Sequence, residues 1–448
     1  MVNVYKEFIG TNSVKVKKDS LQKLLMNAYI KELITETYNP IYGTTLHIAF
    51  TKNQIKSLTK RAKQVDVFRP NVIYQAFNAL KQIKSPKQRK ELITKILPNK
   101  LSHLELHFLL NLLNRDIGVG YKVLAELIDK LPYFPFQLAH KYSDKVIKKL
   151  KGENKFIIQP KYDGIRIHFD PQTKMWYTRN QEVLTYKERP NLKYLTHQLN
   201  EFLNSHPNFH KFIFDGELYA TNWNNTMTFV SSEKEVDGSD ELMFIVYDLI
   251  DIENYKSYRP KSGKTQIVDF RPQEERVGIM MKSGIRFDGS LYHLTKNVKF
   301  APLTTLNINK LTPTQLHYLM GKYIDEGYEG CMLKVCSAPY VDNRKEYWLK
   351  IKPQNELEGV VIDVVEGDGK YQNKLGALIV KSKINGKEIV FRVGSGFSDT
   401  QRNELWEKQN DLIGKIVEIK YQELTKDSIP RFPTFSRIRE DKNEPNYS

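Results

Sequence analysis

The chain has 448 residues, enough for about three domains of roughly 150 residues each. With 40% hydrophobic and 27% charged residues it can bury real cores, which excludes a disordered or fibrous protein. No apolar run approaches the ~18 residues of a membrane span, and Met1 to Glu7 lack the order of a secretory signal, so a cytoplasmic protein without a membrane partner is expected. The net charge of +17 is uneven: residues 1–150 hold 26 Lys and Arg against 11 Asp and Glu, and the rest are nearly neutral at +2. A positive third on a neutral body reads as a handle for a polyanion.

That first third reads as helical. Asp19-Ser20 precedes an apolar stripe of Leu21, Leu24, Leu25, Ala28 and Tyr29 at helical spacing. Ser85-Pro86 supplies a cap and a first-turn proline before Leu92, Ile93, Ile96 and Leu97. Ser102 and Glu105 form a capping box. Asn114 to Gly120 then breaks one helix and starts the next through two glycines, a geometry open to an ordinary turn or to phosphate binding.

Beyond a boundary near residue 148, short β-branched and aromatic runs alternate with turns: Phe156 to Ile158, Ile165 to Phe169, Phe212 to Leu218, Leu242 to Leu249, Cys331 to Val335, and Tyr347 to Ile351. They predict a mostly antiparallel α+β domain with an amphipathic helix over 313–327, and leave 251–300 as a polar, peripheral stretch. From about 354, strand candidates at 359–365, 377–380, 388–393 and 415–421, with a helix capped by Ser398-Asp399, predict a small barrel of the OB type. Cys331 and Cys336 have no nearby histidine pair and form neither a disulfide framework nor a zinc site.

The familiar glycine-rich phosphate motifs are absent. Instead, Lys161 ends a strand and is followed by Asp163-Gly164 and Arg166, which gathers amine, carboxylate and guanidinium near one point. An unprotonated lysine can attack phosphorus, and nearby cations favour that form. Further strand-end charges follow in Asp215-Gly216-Glu217, Tyr247-Asp248 and Glu329-Gly330, while alternation puts Lys350 and Lys352 on one face. Each alone reads most simply as a solvated strand end; their order and spacing together do not.

KYDGIR (161–166), DGE (215–217), YD (247–248), EGCMLK (329–334) and WLKIK (348–352) resemble motifs I, III, IIIa, IV and V of the covalent nucleotidyltransferases. RFPTFSRIREDK (431–442) resembles motif VI of the ATP-dependent DNA ligases, and the likeness runs over 155–442. It implies an all-α, basic DNA-binding domain at 1–147, an α+β antiparallel-sheet adenylation domain (ATP-grasp-like) at 148–353, and an OB-fold β-barrel at 354–448. It also implies an enzyme that seals nicked double-stranded DNA as a monomer, using ATP and Mg²⁺. Lys161 would carry the adenylate, Lys350 and Lys352 would contact the α-phosphate, and Arg166 and Glu217 would hold the ribose. Tyr247 would stack on adenine, Gln159 would read its amine, and Arg179 would touch phosphate. Asp163, Glu217 and Glu329 would serve the metal, and Arg431, Asp441 and Lys442 the departing pyrophosphate. Tyr247 stands where Phe is common, and Thr434 replaces a frequent basic residue. An RNA ligase, a capping guanylyltransferase or a non-enzymatic nucleic-acid-binding protein are the competing readings.

Overall fold

A computed structural model of the chain describes residues 1–41, 46–150, 153, 155–221, 223–282, 286–287, 292–307, 313–352, 355–384, 386–421, 424–425, 427–442 and 444–445. They divide into two units, Met1–Leu319 with Asp325–Lys350, and Met320–Ile324 with Ile351–Ser448.

The first unit opens with helices whose caps are set by local chemistry. Ser85 accepts from the Gln88 amide ahead of Pro86, and Ser102 and Glu105 complete the expected capping box. The stripe at 21–29 is not one helix. Val14–Leu24 is capped by Ser13 and Ala28–Tyr38 by Asn27, while Ser20 is buried within the first helix and donates to Glu7. The polar side chains with free neighbouring amides are therefore Ser13 and Asn27. The helix begun at Pro86 widens to a π turn at Leu92–Ile96 just before Pro98, whose ring excludes a normal α turn. Residues from Tyr5 to Leu131 share one apolar core.

Residues 134–141 leave this bundle and run along a sheet. Strand β1 (Leu138–Lys141) pairs in parallel with Arg344–Ile351, which heads a five-stranded sheet continuing through Gly330–Val335, β2 (Lys155–Lys161) and Thr304–Asn307. An eight-stranded sheet holds β3 (Ile165–Asp170), β4 (Met175–Thr178), β5 (Val183–Leu184), β6 (Phe212–Tyr219) and β7 (Met243–Asp251) at its centre and one edge.

The segment 251–300 corrects the peripheral reading. Ile252–Ser257 and Gln273–Lys282 are helices, and Val298–Phe300 pairs in parallel with β7. Arg276 is fully buried, where its guanidinium meets both oxygens of Asp248 at 2.9 and 3.1 Å. A charged composition concealed a core helix because the charge is paired inside.

The second unit is a five-stranded antiparallel sheet in the order Lys387–Val393, Leu375–Ile384, Asn355–Glu366, Ile416–Tyr421, Thr434–Ile438. Ser398 caps the helix Asp399–Glu407, and the buried Arg402 of that helix donates to the carbonyls of Leu375, Gly376 and Gly394. A closed barrel is not formed among the described residues: the two edge strands do not pair, and only an isolated bridge joins Ser395, just past the first edge strand, to Thr434. Gly396 lies there at φ +99°, where a Cβ would meet the Phe435 carbonyl oxygen at 2.3 Å.

Candidate active site

Strand register gathers the predicted residues of the first unit. In β2, Lys161 stands opposite Gly330 and Gln159 opposite Met332. In the neighbouring sheet Arg166 faces Glu217, and His168 faces Asp215. Alternation puts Arg166, His168, Asp215 and Glu217 on one face of that sheet, while Ile167, Phe169 and Phe214 fill the core on the other. Gly164 permits the β2–β3 turn to close, because a Cβ there would lie 2.1 Å from the Leu218 carbonyl oxygen.

The result is a cavity of about 220 Å³ whose lining includes Gln159, Lys161, Arg166, Arg179, Glu217, Tyr247 and Lys350. Seven predicted residues thus meet at one place. Lys161 Nζ is ion-paired with Glu329 Oε2, so its immediate partner is a carboxylate, where the sequence pointed to surrounding cations. Asp163 lies in the turn after β2. Lys352 falls just beyond Lys350, in the residues of the second unit. Arg431, Asp441 and Lys442 belong to that unit too: Asp441 is bound by Arg439 at 2.8 and 2.9 Å, Lys442 reaches both oxygens of Glu358, and Arg431 lies over the Phe432 ring.

The sequence reading missed Lys334, Arg344, Met332 and Trp348, which also line the cavity. Lys334 is fully buried. Its ammonium sits 4.0 Å from the centre of the Trp348 ring and 4.6 Å from that of Tyr247, and donates to the Tyr247 carbonyl. Its period-2 placement two residues beyond Met332 was the available signal.

Charge in the cavity is tuned by burial. Desolvation pushes Glu217 up to about 7 against the pull of Lys161 and Arg166, and Tyr247 donates to it at 3.3 Å. Burial pulls Lys334 down to about 7. Lys350 is lowered by burial and then by Arg344 and Lys161, and Arg179 by burial, Arg166 and Arg344. A cluster of mutually repelling cations is a site prepared for an anion.

Among the described residues, both polar atoms of the buried Gln159 side chain have no hydrogen-bond partner. Such a group is costly unless something completes it, and an adenine edge, with one donor and one acceptor, has the matching chemistry. The residues present therefore fit a nucleotide. Among the described residues no three His, Cys, Asp or Glu side chains form a metal cluster. Glu217 and Glu329 instead flank Lys161 as separate carboxylates, a set that suits Mg²⁺ shared with substrate phosphates better than an all-protein cage.

An amine at a strand end, facing carboxylates and cations beside an unsatisfied amide, defines a nucleotidyltransferase-type domain, here followed by an OB-like sheet. A family model described as ATP dependent DNA ligase domain matches residues 136–352, and one described as DNA ligase OB-like domain matches 366–439. The chain belongs to the ATP-dependent DNA ligase family. It is 26% identical over 342 residues to a DNA ligase of Methanospirillum hungatei, covering 70% of this chain and 56% of that one. It is 25% identical over 234 residues to a DNA ligase of Haemophilus influenzae, covering 51% and 72%. The chain thus spans about half the length of the Methanospirillum relative. The solved structure Pmar-Lig_PreS3 superposes with a TM-score of 0.72 at 22% identity over 98% of this chain and 99% of the other, which shows a shared fold. No helix among the described residues is long and apolar enough to cross a membrane.

Proposed function

We propose that the protein is an ATP-dependent DNA ligase that seals 5′-phosphate/3′-hydroxyl nicks through a lysyl-adenylate. Lys161 Nζ attacks the α-phosphorus of ATP; a P–N bond forms, the bond to pyrophosphate breaks, and the amine proton is released. The AMP then passes to the 5′-phosphate of the nick. The adjacent 3′-hydroxyl attacks that phosphate, forming the phosphodiester and releasing AMP. All three steps are phosphoryl-type transfers, so alignment and charge neutralisation carry them.

In this reading Gln159 reads the adenine amine, Tyr247 stacks on the base, and Arg166 and Glu217 hold the ribose. Lys350, Lys352 and Arg179 meet phosphate oxygens. Asp163, Glu217 and Glu329 would hold Mg²⁺, which would supply charge neutralisation at the reacting phosphate. Arg431, Asp441 and Lys442 orient pyrophosphate. Residues 1–147 form the DNA-binding domain, 148–353 the adenylation domain and 354–448 an OB-fold domain, and the protein acts as a monomer on nicked duplex DNA.

The observation that carries the reading is the meeting, in one cavity, of Lys161 with a cation cluster and the unsatisfied Gln159 amide. Intact-mass measurement after incubation with ATP or GTP tests it, followed by addition of nicked DNA or nicked RNA duplex. AMP addition from ATP, discharged by nicked DNA and abolished by Lys161→Ala with duplex binding retained, is expected. Labelling by GTP alone, or an adduct surviving in the Lys161→Ala variant, would refute it.

A further inference from the structure

Behind Arg166 lies a polar network that the reaction scheme does not use. Arg166 clamps Asp215 with Nε to Oδ1 at 2.9 Å and Nη2 to Oδ2 at 2.6 Å. Its Nη2 also donates to Tyr340 at 3.1 Å, and its Nη1 to the Gln137 carbonyl. Among the described residues, these bonds occupy four of the five N–H groups of the guanidinium and leave one, on Nη1, for a ligand in the cavity that Arg166 lines. With a single donor left, the angle of the whole fork decides whether that donor reaches its target.

That angle depends on Asp215, and Asp215 depends on His168. The imidazole is fully buried, with Nε2 at 3.2 Å from Asp215 Oδ1 and Nδ1 at 2.8 Å from the Tyr255 hydroxyl. A neutral imidazole fits both partners: Nε2–H donates to the carboxylate while Nδ1 accepts from Tyr255. Phe136 lies flat on the ring at 3.7 Å and 9°, so the imidazole has little freedom to tilt. Tyr340 donates to the other carboxylate oxygen at 3.0 Å. Burial lowers the affinity of His168 for a second proton, which keeps it in this one arrangement.

We propose that His168 is a positioning residue for nucleotide selection: held between Tyr255 and Asp215, it fixes the carboxylate and through it the Arg166 guanidinium against the ribose. This rests on Arg166 being the ribose contact. A histidine that merely filled the core would affect every nucleotide alike; one that aims Arg166 affects only those bearing the hydroxyl that Arg166 reads.

The test uses the full chain and the rate of AMP addition from ATP, 2′-deoxy-ATP and 3′-deoxy-ATP, read by intact mass. Arg166→Ala identifies the hydroxyl concerned as the one whose loss no longer matters. His168→Leu is expected to raise KM for ATP about tenfold with kcat nearly unchanged, and to shrink the preference for that hydroxyl by a similar factor. His168→Gln offers a donor and an acceptor at once and is expected to restore both. Tyr255→Phe, which removes a single bond and keeps the shape, shifts both in the same direction by less, and decides the matter should His168→Leu fail to fold. Equal penalties on all three nucleotides, or none, would overturn the role of His168. No adduct from the unmutated protein would overturn the Arg166 assignment and this inference together.

Discussion

Two side chains in the cavity are held far from their ordinary charge behaviour, and their effects on stability have opposite slopes. Glu217, pushed up by burial from 4.5 to about 7, binds more protons in the folded than in the unfolded chain between those pH values. Its stabilising contribution is complete below 4.5 and is lost as pH rises through 7. Lys334, pulled down by burial from 10.5 to about 7, behaves in the reverse sense: its contribution is present above 10.5 and is lost as pH falls through 7. The two together make the unliganded protein least stable near neutrality, by on the order of 3 kcal/mol through Glu217 and about 5 kcal/mol through Lys334. Thermal melts from pH 5 to 10 should show a shallow minimum there. Glu217→Gln should flatten the acid side and Lys334→Met the alkaline side; unchanged profiles would mean the two groups titrate normally. Gln159 tells the same story without charge. Gln159→Leu removes two orphaned polar atoms, so it should leave the melting temperature unchanged or higher while raising KM for ATP, measured by AMP addition.

At the scale of elements, the turn between β2 and β3 is the least forgiving feature. A Cβ at Gly164 would lie 2.1 Å from the Leu218 carbonyl oxygen, so Gly164→Ala forces β3 and β6 apart where they carry Arg166 and Glu217. The change should cost more than about 2 kcal/mol in urea titrations and sharply reduce AMP addition even in the folded fraction. That turn was legible from the sequence, as were the strands that bear Lys161, Glu217, Tyr247 and Lys350, because charge at a strand end breaks the apolar alternation. Arg276 was not legible, and Lys334 only through its period-2 placement beyond Met332. A lone basic residue among others looks solvated, and only the pairing of strands and helices shows that Asp248 or two aromatic rings await it inside. The split of the 21–29 stripe was hidden for a related reason: two short helices sharing a core show the same apolar spacing as one long helix.

Charge becomes informative at the scale of the whole molecule. The excess of +15 in residues 1–150 is displayed on surface helices such as Lys52–Arg61, where Lys52, Lys56, Lys60 and Arg61 are exposed. The bundle is also tied to the sheets within its unit. Lys122 pairs with the buried Asp342 at 2.7 Å, Tyr133 donates to the same carboxylate, and Ser262 donates to Glu126. Deleting the bundle would therefore expose buried polar partners, whereas neutralising its outward lysines leaves that junction intact. Each phosphate contact removed from duplex binding lowers the steepness of log K against log salt by about 0.9. Replacing Lys52, Lys56, Lys60 and Arg61 together by Gln should weaken binding to nicked DNA at low salt and flatten that slope by roughly one unit per lost contact. AMP addition to Lys161 should be untouched, since ATP needs no help from this face. Replacing an equal number of exposed lysines in 355–442 supplies the comparison, and a slope that falls equally in both sets would remove the case for the helical third as the principal DNA handle.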